Sequence, residues 1–310
     1  MINVHGEKFL VTGGAGFIGS HICEELVNQG KQVVCVDDFS NGCIENLDPW
    51  WDTKLCSLFN SDLSVELDCD MEEIFDGVDV VFHEACSKCT VCREDPQKDL
   101  MVNAWGSFRV FDYASRVGAK VVHASTGSVY GDCVSQHESA PYAPKSFYGV
   151  SKLAGEQYLR AWSEYSGLKW VGLRYFHVYG PRQDNSDKGG VIPIFITRMV
   201  NGEPITIFGD GEQTRSFTYV KDVVNANFLA ANSAGMEGEY YNVASGMSVS
   251  LNELVGVLKG ITGMDCSVVY EPERQGDIKF FDVWNNKIGI GKWTQLREGL
   301  EKTIGYYHAN

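Results

Sequence analysis

Tyr148 and Lys152 stand four residues apart in the run YGVSK, and on a helix that spacing puts both side chains on one face. An ammonium beside a phenol makes the phenolate easier to form, so the pair suits redox chemistry on an alcohol. A third group belongs with them. The apolar run VVHAS leads into Thr126 and then GSVYG, which puts Ser125, Thr126 and Ser128 at the carboxyl end of a predicted strand, where a cofactor's reactive ring should lie. A polar strand terminus would explain Thr126 in isolation; the Tyr148-x3-Lys152 pair and an upstream glycine loop give its hydroxyl a role.

These groups need a frame, and the N-terminal region supplies it. Lys8–Thr12 reads KFLVT, suited to a buried strand, and Gly14, Gly16 and Gly19 then fill a G-x-G-x-x-G frame before the amphipathic stretch FIGSHICEELVNQG. Within TGGAGFIG, Gly13, Gly16, Phe17, Ile18 and Gly19 are the candidate cofactor contacts. Glycines let the backbone approach a pyrophosphate, which a helix N-terminus stabilises through free N–H groups and partial positive charge. The competing reading is an ordinary strand-turn-helix glycine cluster. Context favours the functional one, because the apolar run 32–36 ends at Asp37, near the spacing of the acid that binds an adenosine ribose. Asp38 follows, and no Arg or Lys occurs until Lys54. A 2′-phosphate would meet two carboxylates and no cation, so the sequence predicts NAD over NADP.

The 310 residues, 44% of them hydrophobic, suffice for one large domain plus a smaller one. No apolar run reaches the length of a membrane span, and the N-terminus lacks a basic segment followed by a hydrophobic one, so no membrane partner and a cytoplasmic location are expected. A net charge of −15 argues against nucleic acid as a partner, and an anionic small substrate would need local arginines. Of the ten cysteines, Cys23, Cys35, Cys43, Cys56, Cys69, Cys133 and Cys266 are scattered, several in apolar contexts. Cys86, Cys89 and Cys92 are spaced C-x2-C-x2-C, like part of an iron–sulfur ligand run. No fourth cysteine with proline follows nearby, so no metal is expected.

Strand-like segments 8–12, 32–37, 78–83, 120–125 and 169–175 alternate with helical patterns around 17–28, 101–117 and 147–166. That alternation predicts an α/β fold, a doubly wound parallel sheet with helices on both faces. The expected domains are 1–175 with returning segments near 218–244, and a smaller C-terminal substrate-binding lobe over 176–310. Ligands of such sheets bind beyond the carboxyl ends of the strands.

Taken together, TGGAGFIG, VVCVDDFSNG, STGSVYG and YGVSK resemble the extended short-chain dehydrogenase/reductase family, in its NAD-dependent nucleotide-sugar epimerase/dehydratase branch. NAWGS, LRYFHVYGPRQ, GEPITIFGDGEQTRSFTYVKDV and ERQGD follow in the family's order, so the match spans nearly the whole chain. The resemblance implies a Rossmann domain, a tightly held NAD and a homodimer paired through helices 101–117 and 147–166. It makes Tyr148 the general base, Lys152 the ligand of the nicotinamide ribose and Thr126 the partner of the sugar hydroxyl. Asp37, Asp38, Asn41, Ser125 and Phe176 join the cofactor contacts; Asp62 and Leu63 match the adenine contact, and Ala85, Cys86 and Lys88 the segment passing the phosphates and ribose. Cys86 departs from the usual alanine or glycine. Asn103 matches an asparagine supporting the active site.

For the substrate, the resemblance assigns Arg215 and Arg274 to the diphosphate, Val191, Ile205 and Phe208 to the base, Asp277 to the ribose and Ser128 to the sugar. His177 departs from an asparagine that touches the diphosphate. Dehydratases of this branch place acids directly after the threonine, and decarboxylases keep a glutamate two positions on; here Gly127 and Ser128 stand there. The expected reaction is therefore 4-epimerisation, and Phe281, which would narrow the sugar pocket, points to a UDP-hexose such as UDP-glucose or UDP-galactose. UDP-glucuronate decarboxylation, suggested by the TRSF run, 4,6-dehydration and a non-catalytic NAD-binding redox sensor are the alternatives.

Overall fold

Strand β1 (Lys8–Thr12) has Phe9, Leu10 and Val11 wholly buried, which is what a strand covered on both faces requires. It pairs in parallel with β2 (Gln32–Asp37) on one side and β4 (Val80–His83) on the other. In this computed structural model, which describes residues 1–48, 50–51, 53–65, 71–187, 189–273 and 282–309, those three strands are the centre of a seven-stranded sheet. β3 (Cys56–Asn60) lies outside β2, β5 (Lys120–Thr126) beside β4, then β6 (Trp170–Tyr175) and β7 (Tyr240–Val243), giving the order β7-β6-β5-β4-β1-β2-β3. Along β6 and β7 residue numbers rise together, Gly172 N donating to Glu239 O and Phe176 N to Val243 O, as parallel pairing demands.

The expected doubly wound sheet is thus present. Sequence pattern missed β3, and the reason is physical: CSLFN is an edge strand with no buried residue, so it lacks the continuous apolar run that marks β1, β2 and β4. The order reverses between β1 and β4, and in such sheets the crevice beyond the strands' carboxyl ends at that point takes the ligand.

Helix α1 (Phe17–Asn28) follows β1 directly. The segment 101–117, read as one helix, begins instead with a wider π-helical turn at Met101–Gly106 before α2 (Ser107–Val117); such turns recur at functional sites. Helix α3 (Phe147–Ser166) starts at Ser146, whose hydroxyl accepts from Gly149 N at 3.0 Å, and stops at Gly167 in the left-handed region.

By its contacts the chain divides into Met1–Gly131 with Pro141–Tyr175 and Val224–Tyr241, and Asp132–Ala140 with Phe176–Val223 and Asn242–Asn310. The second unit is built from two-stranded pairs, among them Ile205–Phe208 with Val268–Glu271 and Thr214–Ser216 with Ser248–Ser250, together with helices Val191–Val200, Leu251–Thr262 and Leu296–Ala309.

Candidate active site

The glycine loop owes its shape to backbone crowding. Gly13 has φ +66, and a side chain there would start 2.7 Å from Ala85 N, so the loops leaving β1 and β4 touch. On Gly19 a Cβ would lie 2.1 Å from Gly13 O, which lets α1 pack against the turn that precedes it. Gly13, Gly16, Phe17 and Ile18 remain partly accessible, whereas Gly14, Ala15 and Gly19 are buried. Gly14 is a packing glycine facing Cys35 and Cys23. The N-terminus of α1 has no side-chain cap and no acidic residue in its first turn, the arrangement that receives an anion on backbone N–H groups.

Asp37 stitches this loop together: its Oδ2 accepts from Ala15 N and its Oδ1 from Phe39 N, both at 2.9 Å. Burial pushes its carboxyl up, and these amides pull it back. Asp38 Oδ1 accepts from Ser40 N and Oγ, and Asn41 is exposed. Asp62 holds its own turn through Ser64 N and Oγ, while Arg109 donates to the carbonyl of Leu63 and to that of Val65. After β4, Ala85 N donates to Thr12 Oγ1, and Ser87 N to Asn103 Oδ1 at 2.8 Å. Asn103 Nδ2 in turn reaches Asp99 and Ser151, so the π-helical turn ties the 85–88 segment, on which Cys86 and Lys88 sit, to α3.

Thr126 Oγ1 ends β5, donating to Ser128 Oγ at 3.2 Å and accepting from Ser128 N at 3.1 Å. The Tyr148 phenol lies in hydrogen-bonding reach of Thr126. One turn along α3, the Lys152 ammonium is buried and makes no hydrogen bond. Leaving such a group without a partner is costly, and ribose hydroxyls of a dinucleotide would satisfy it. That orphaned ammonium and the glycine cradle are what fit an NAD to this unit. Ser125 differs from its neighbour, because its hydroxyl donates to Glu156 at 2.5 Å and is committed to the protein.

The spacing argument expected Lys152 to make Tyr148 more acidic, and here the opposite direction prevails. Burial drives the phenol well above its usual range, Cys86, Cys89 and Asp99 push the same way, and a hydrogen bond with Thr126 opposes them. Burial also lowers the Lys152 pKa, against the pull of Cys86, Glu84, Glu156 and Asp99. Desolvation outweighs a single neighbouring charge.

Two groups of functional weight escaped the sequence reading. Tyr148, Lys152 and Glu156 recur every four residues, and Glu156 anchors this face: it receives Arg174 Nε at 2.9 Å and Nη2 at 2.7 Å, both residues being fully buried. Arg174 also donates to the hydroxyls of Tyr130 and Tyr142 and lies against the rings of Tyr130, Tyr142 and Tyr240. The second is Glu84, at the end of β4, which accepts from Tyr175 at 2.7 Å. Burial raises its carboxyl to about 7, against Tyr175 and Lys152. The i, i+4, i+8 spacing was the available signal for Glu156; a lone carboxylate in VVFHEA was the signal for Glu84.

In the second unit, His177 has φ +38 and faces Phe217 at 6.1 Å. Burial, helped by Arg215, lowers its pKa to about 3, so the imidazole is neutral at physiological pH and resembles the family's asparagine in charge. Arg215 Nη1 donates to the Thr214 carbonyl at 2.8 Å. Phe176 is buried, Val191 opens its helix, and Ile205 and Phe208 bound one strand. Alternation puts Ile205 and Ile207 in the core and leaves Thr206 and Phe208 partly accessible. Arg274, Asp277 and Phe281 lie outside the described residues. Among the described residues no group of three or more His, Cys, Asp or Glu could hold a metal ion.

The chain matches the NAD dependent epimerase/dehydratase family over residues 9–244. It belongs to that family. Accordingly its cofactor is NAD. A putative UDP-glucose 4-epimerase of Methanocaldococcus jannaschii is 34% identical over 97% of this chain and 98% of its own length. The crystal structure of UDP-glucose 4-epimerase from Thermotoga maritima with UDP-glucose superposes with a TM-score of 0.90 at 36% identity, over 97% of this chain and 99% of that one. UDP-N-acetylglucosamine 4-epimerase from Methanobrevibacter ruminantium, in complex with UDP-N-acetylmuramic acid, gives 0.92 at 35%, over 98% of each chain. UDP-glucuronic acid decarboxylases are also relatives, that of Xenopus tropicalis at 31% over 97% of this chain and 72% of its own length. No described helix of this family member is long and apolar enough to cross a membrane.

Proposed function

We propose that this protein interconverts the C4 epimers of a UDP-hexose, UDP-glucose and UDP-galactose foremost, through a transient 4-keto sugar. The observation that carries the reading is a trio, a half-buried Tyr148 phenol within hydrogen-bonding reach of Thr126 with a buried, partnerless Lys152 one turn away. Tyr148 takes the proton of the C4 hydroxyl, Thr126 holds that hydroxyl, and Lys152 holds the nicotinamide ribose. Bound NAD would supply hydride transfer to and from the sugar's C4, and the positive charge of its oxidised ring would act against the burial that pushes Tyr148 up.

Eliminating water from the sugar would need an acid and a base beside Thr126, and Gly127 and Ser128 supply neither. That absence supports epimerisation over dehydration. Incubating the purified protein with UDP-galactose, UDP-N-acetylgalactosamine or UDP-glucuronate and following products by NMR tests the reading. Conversion of UDP-galactose to UDP-glucose without added NAD is expected; no conversion of any hexose would overturn it. Decarboxylation is the second reading, favoured by the TRSF run and the decarboxylase relatives, and release of carbon dioxide from UDP-glucuronate would establish it.

A homodimer paired through α2 and α3 is part of this reading. An aromatic group across those helices supports it: Phe108 contacts Trp105, Tyr158 and Trp162 at 5.3–5.6 Å, while Trp105 and Tyr158 stay exposed. Sedimentation equilibrium giving a monomer mass would refute it. The cytoplasm, whose reducing conditions suit the free cysteines, is the proposed location.

A further inference from the structure

Three cysteines occupy the segment that follows β4, and the reaction proposed above uses none of their thiols. The start of the segment is pinned where Ser87 N donates to Asn103. Beyond it, the amides of Val91 and Cys92 both donate to Lys88 O, at 2.9 and 3.3 Å, winding residues 88–92 into a helical turn. Residues three apart on such a turn share one face, and Cys89 and Cys92 are three apart. Their thiols are within hydrogen-bonding reach of one another, and Cys92 Sγ donates to the Cys89 carbonyl at 3.0 Å. Cys89 is exposed and Cys92 is buried, an asymmetry that gives one sulfur to a reagent and reserves the other to complete a ring. The pair also borders the chemistry, since Cys86 and Cys89 both act electrostatically on the Tyr148 phenol and Cys86 on Lys152.

We propose that Cys89 and Cys92 are an oxidisable dithiol, converted by low-molecular-weight disulfides into an intramolecular disulfide that reshapes the segment beside Tyr148 and slows turnover. In the first step the Cys89 thiolate attacks one sulfur of the reagent RSSR, forming a Cys89–SR mixed disulfide and releasing RS⁻. In the second, the Cys92 thiolate attacks the Cys89 sulfur and displaces the remaining RS⁻. The two protein thiols are oxidised, the reagent is reduced to two RSH once it has taken up both thiol protons, and a dithiol reverses the sequence. Although the residue is exposed, partial desolvation of its sulfur pushes the Cys89 thiol up to about 11, with Cys92 and Asp99 acting the same way and Arg93 against them. The thiolate is therefore scarce at neutral pH, and oxidation speeds up by about tenfold per pH unit below that value.

The test uses the NAD-loaded protein with glutathione disulfide at pH 8.5, quenched in acid and mapped by peptide mass spectrometry without reduction. A Cys89–Cys92 link, a loss of two hydrogens, and at least a fivefold fall in turnover restored by dithiothreitol are expected. In Cys92→Ala the same treatment should stop at a glutathione adduct on Cys89. The activity arm rests on the proposed epimerisation, but the mass map does not, so an inactive preparation still decides the chemistry. Cys89 and Cys92 remaining as thiols while the urea-unfolded chain oxidises, a link through Cys86 instead, or full turnover of the linked protein would each overturn the proposal.

Discussion

The glycine loop and the face of α3 that carries Tyr148 lie in one unit yet are held by different physics. In the loop, the packing of Gly19 on Gly13 comes from atoms that are missing, since a methyl on Gly19 would sit 2.1 Å from Gly13 O, with the Asp37 carboxylate holding Ala15 beside it. On the Tyr148 face it comes from charge, where Arg174 and Glu156 are both wholly buried and share their hydrogen bonds with Ser125, Tyr130 and Tyr142. A steric device tolerates no substitution at the contact but is indifferent to pH. An ionic one is sensitive to pH and to the loss of either partner, because the survivor stays buried and unpaired.

That contrast can be broken in four places. Tyr148→Phe removes the proposed base and nothing else, so turnover should fall by about 10²–10⁴ while the purified protein still carries NAD; unchanged turnover would remove Tyr148 from the mechanism. Glu156→Ala strands the guanidinium of Arg174, and thermal or urea unfolding should report a loss of about 3–5 kcal/mol, with Glu156→Gln losing less because it keeps an acceptor. Glu84 sharpens the electrostatic half. Its carboxyl titrates at about 7 rather than at the ordinary 4.5, so the neutral acid is favoured in the folded state. The stability this contributes is complete below pH 4.5 and is lost as pH rises through 7, about 3 kcal/mol in all. Urea midpoints at pH 5 and pH 8 should therefore converge in Glu84→Gln relative to the parent. Last, Gly19→Ala should cost about 1–3 kcal/mol by overpacking and lower NAD content equally at pH 6 and pH 8; a pH-dependent loss would show that the loop is not purely steric.

Legibility followed the same division. KFLVT, the glycine frame and Asp37 are contiguous or nearly so, and a local pattern suffices to read a strand, a turn and an acid. Tyr148 and Lys152 were legible for the same reason, being one helical turn apart. Arg174 was not, since its partners come from positions 130, 142, 156 and 240, and no spacing rule joins four separated stretches. The edge strand Cys56–Asn60 was missed because hydrogen bonding to β2 rather than apolar content defines it.

The sequence by itself determined the alternating α/β plan, the glycine loop and which hydroxyls are the candidates, because each is written in residues close enough to share one turn or one strand. Only the tertiary structure decided which way their pKa values move. Burial raises Tyr148 and Glu84 and lowers Lys152 and His177, and the cost of desolvating a charge depends on everything packed around it, which no local pattern contains.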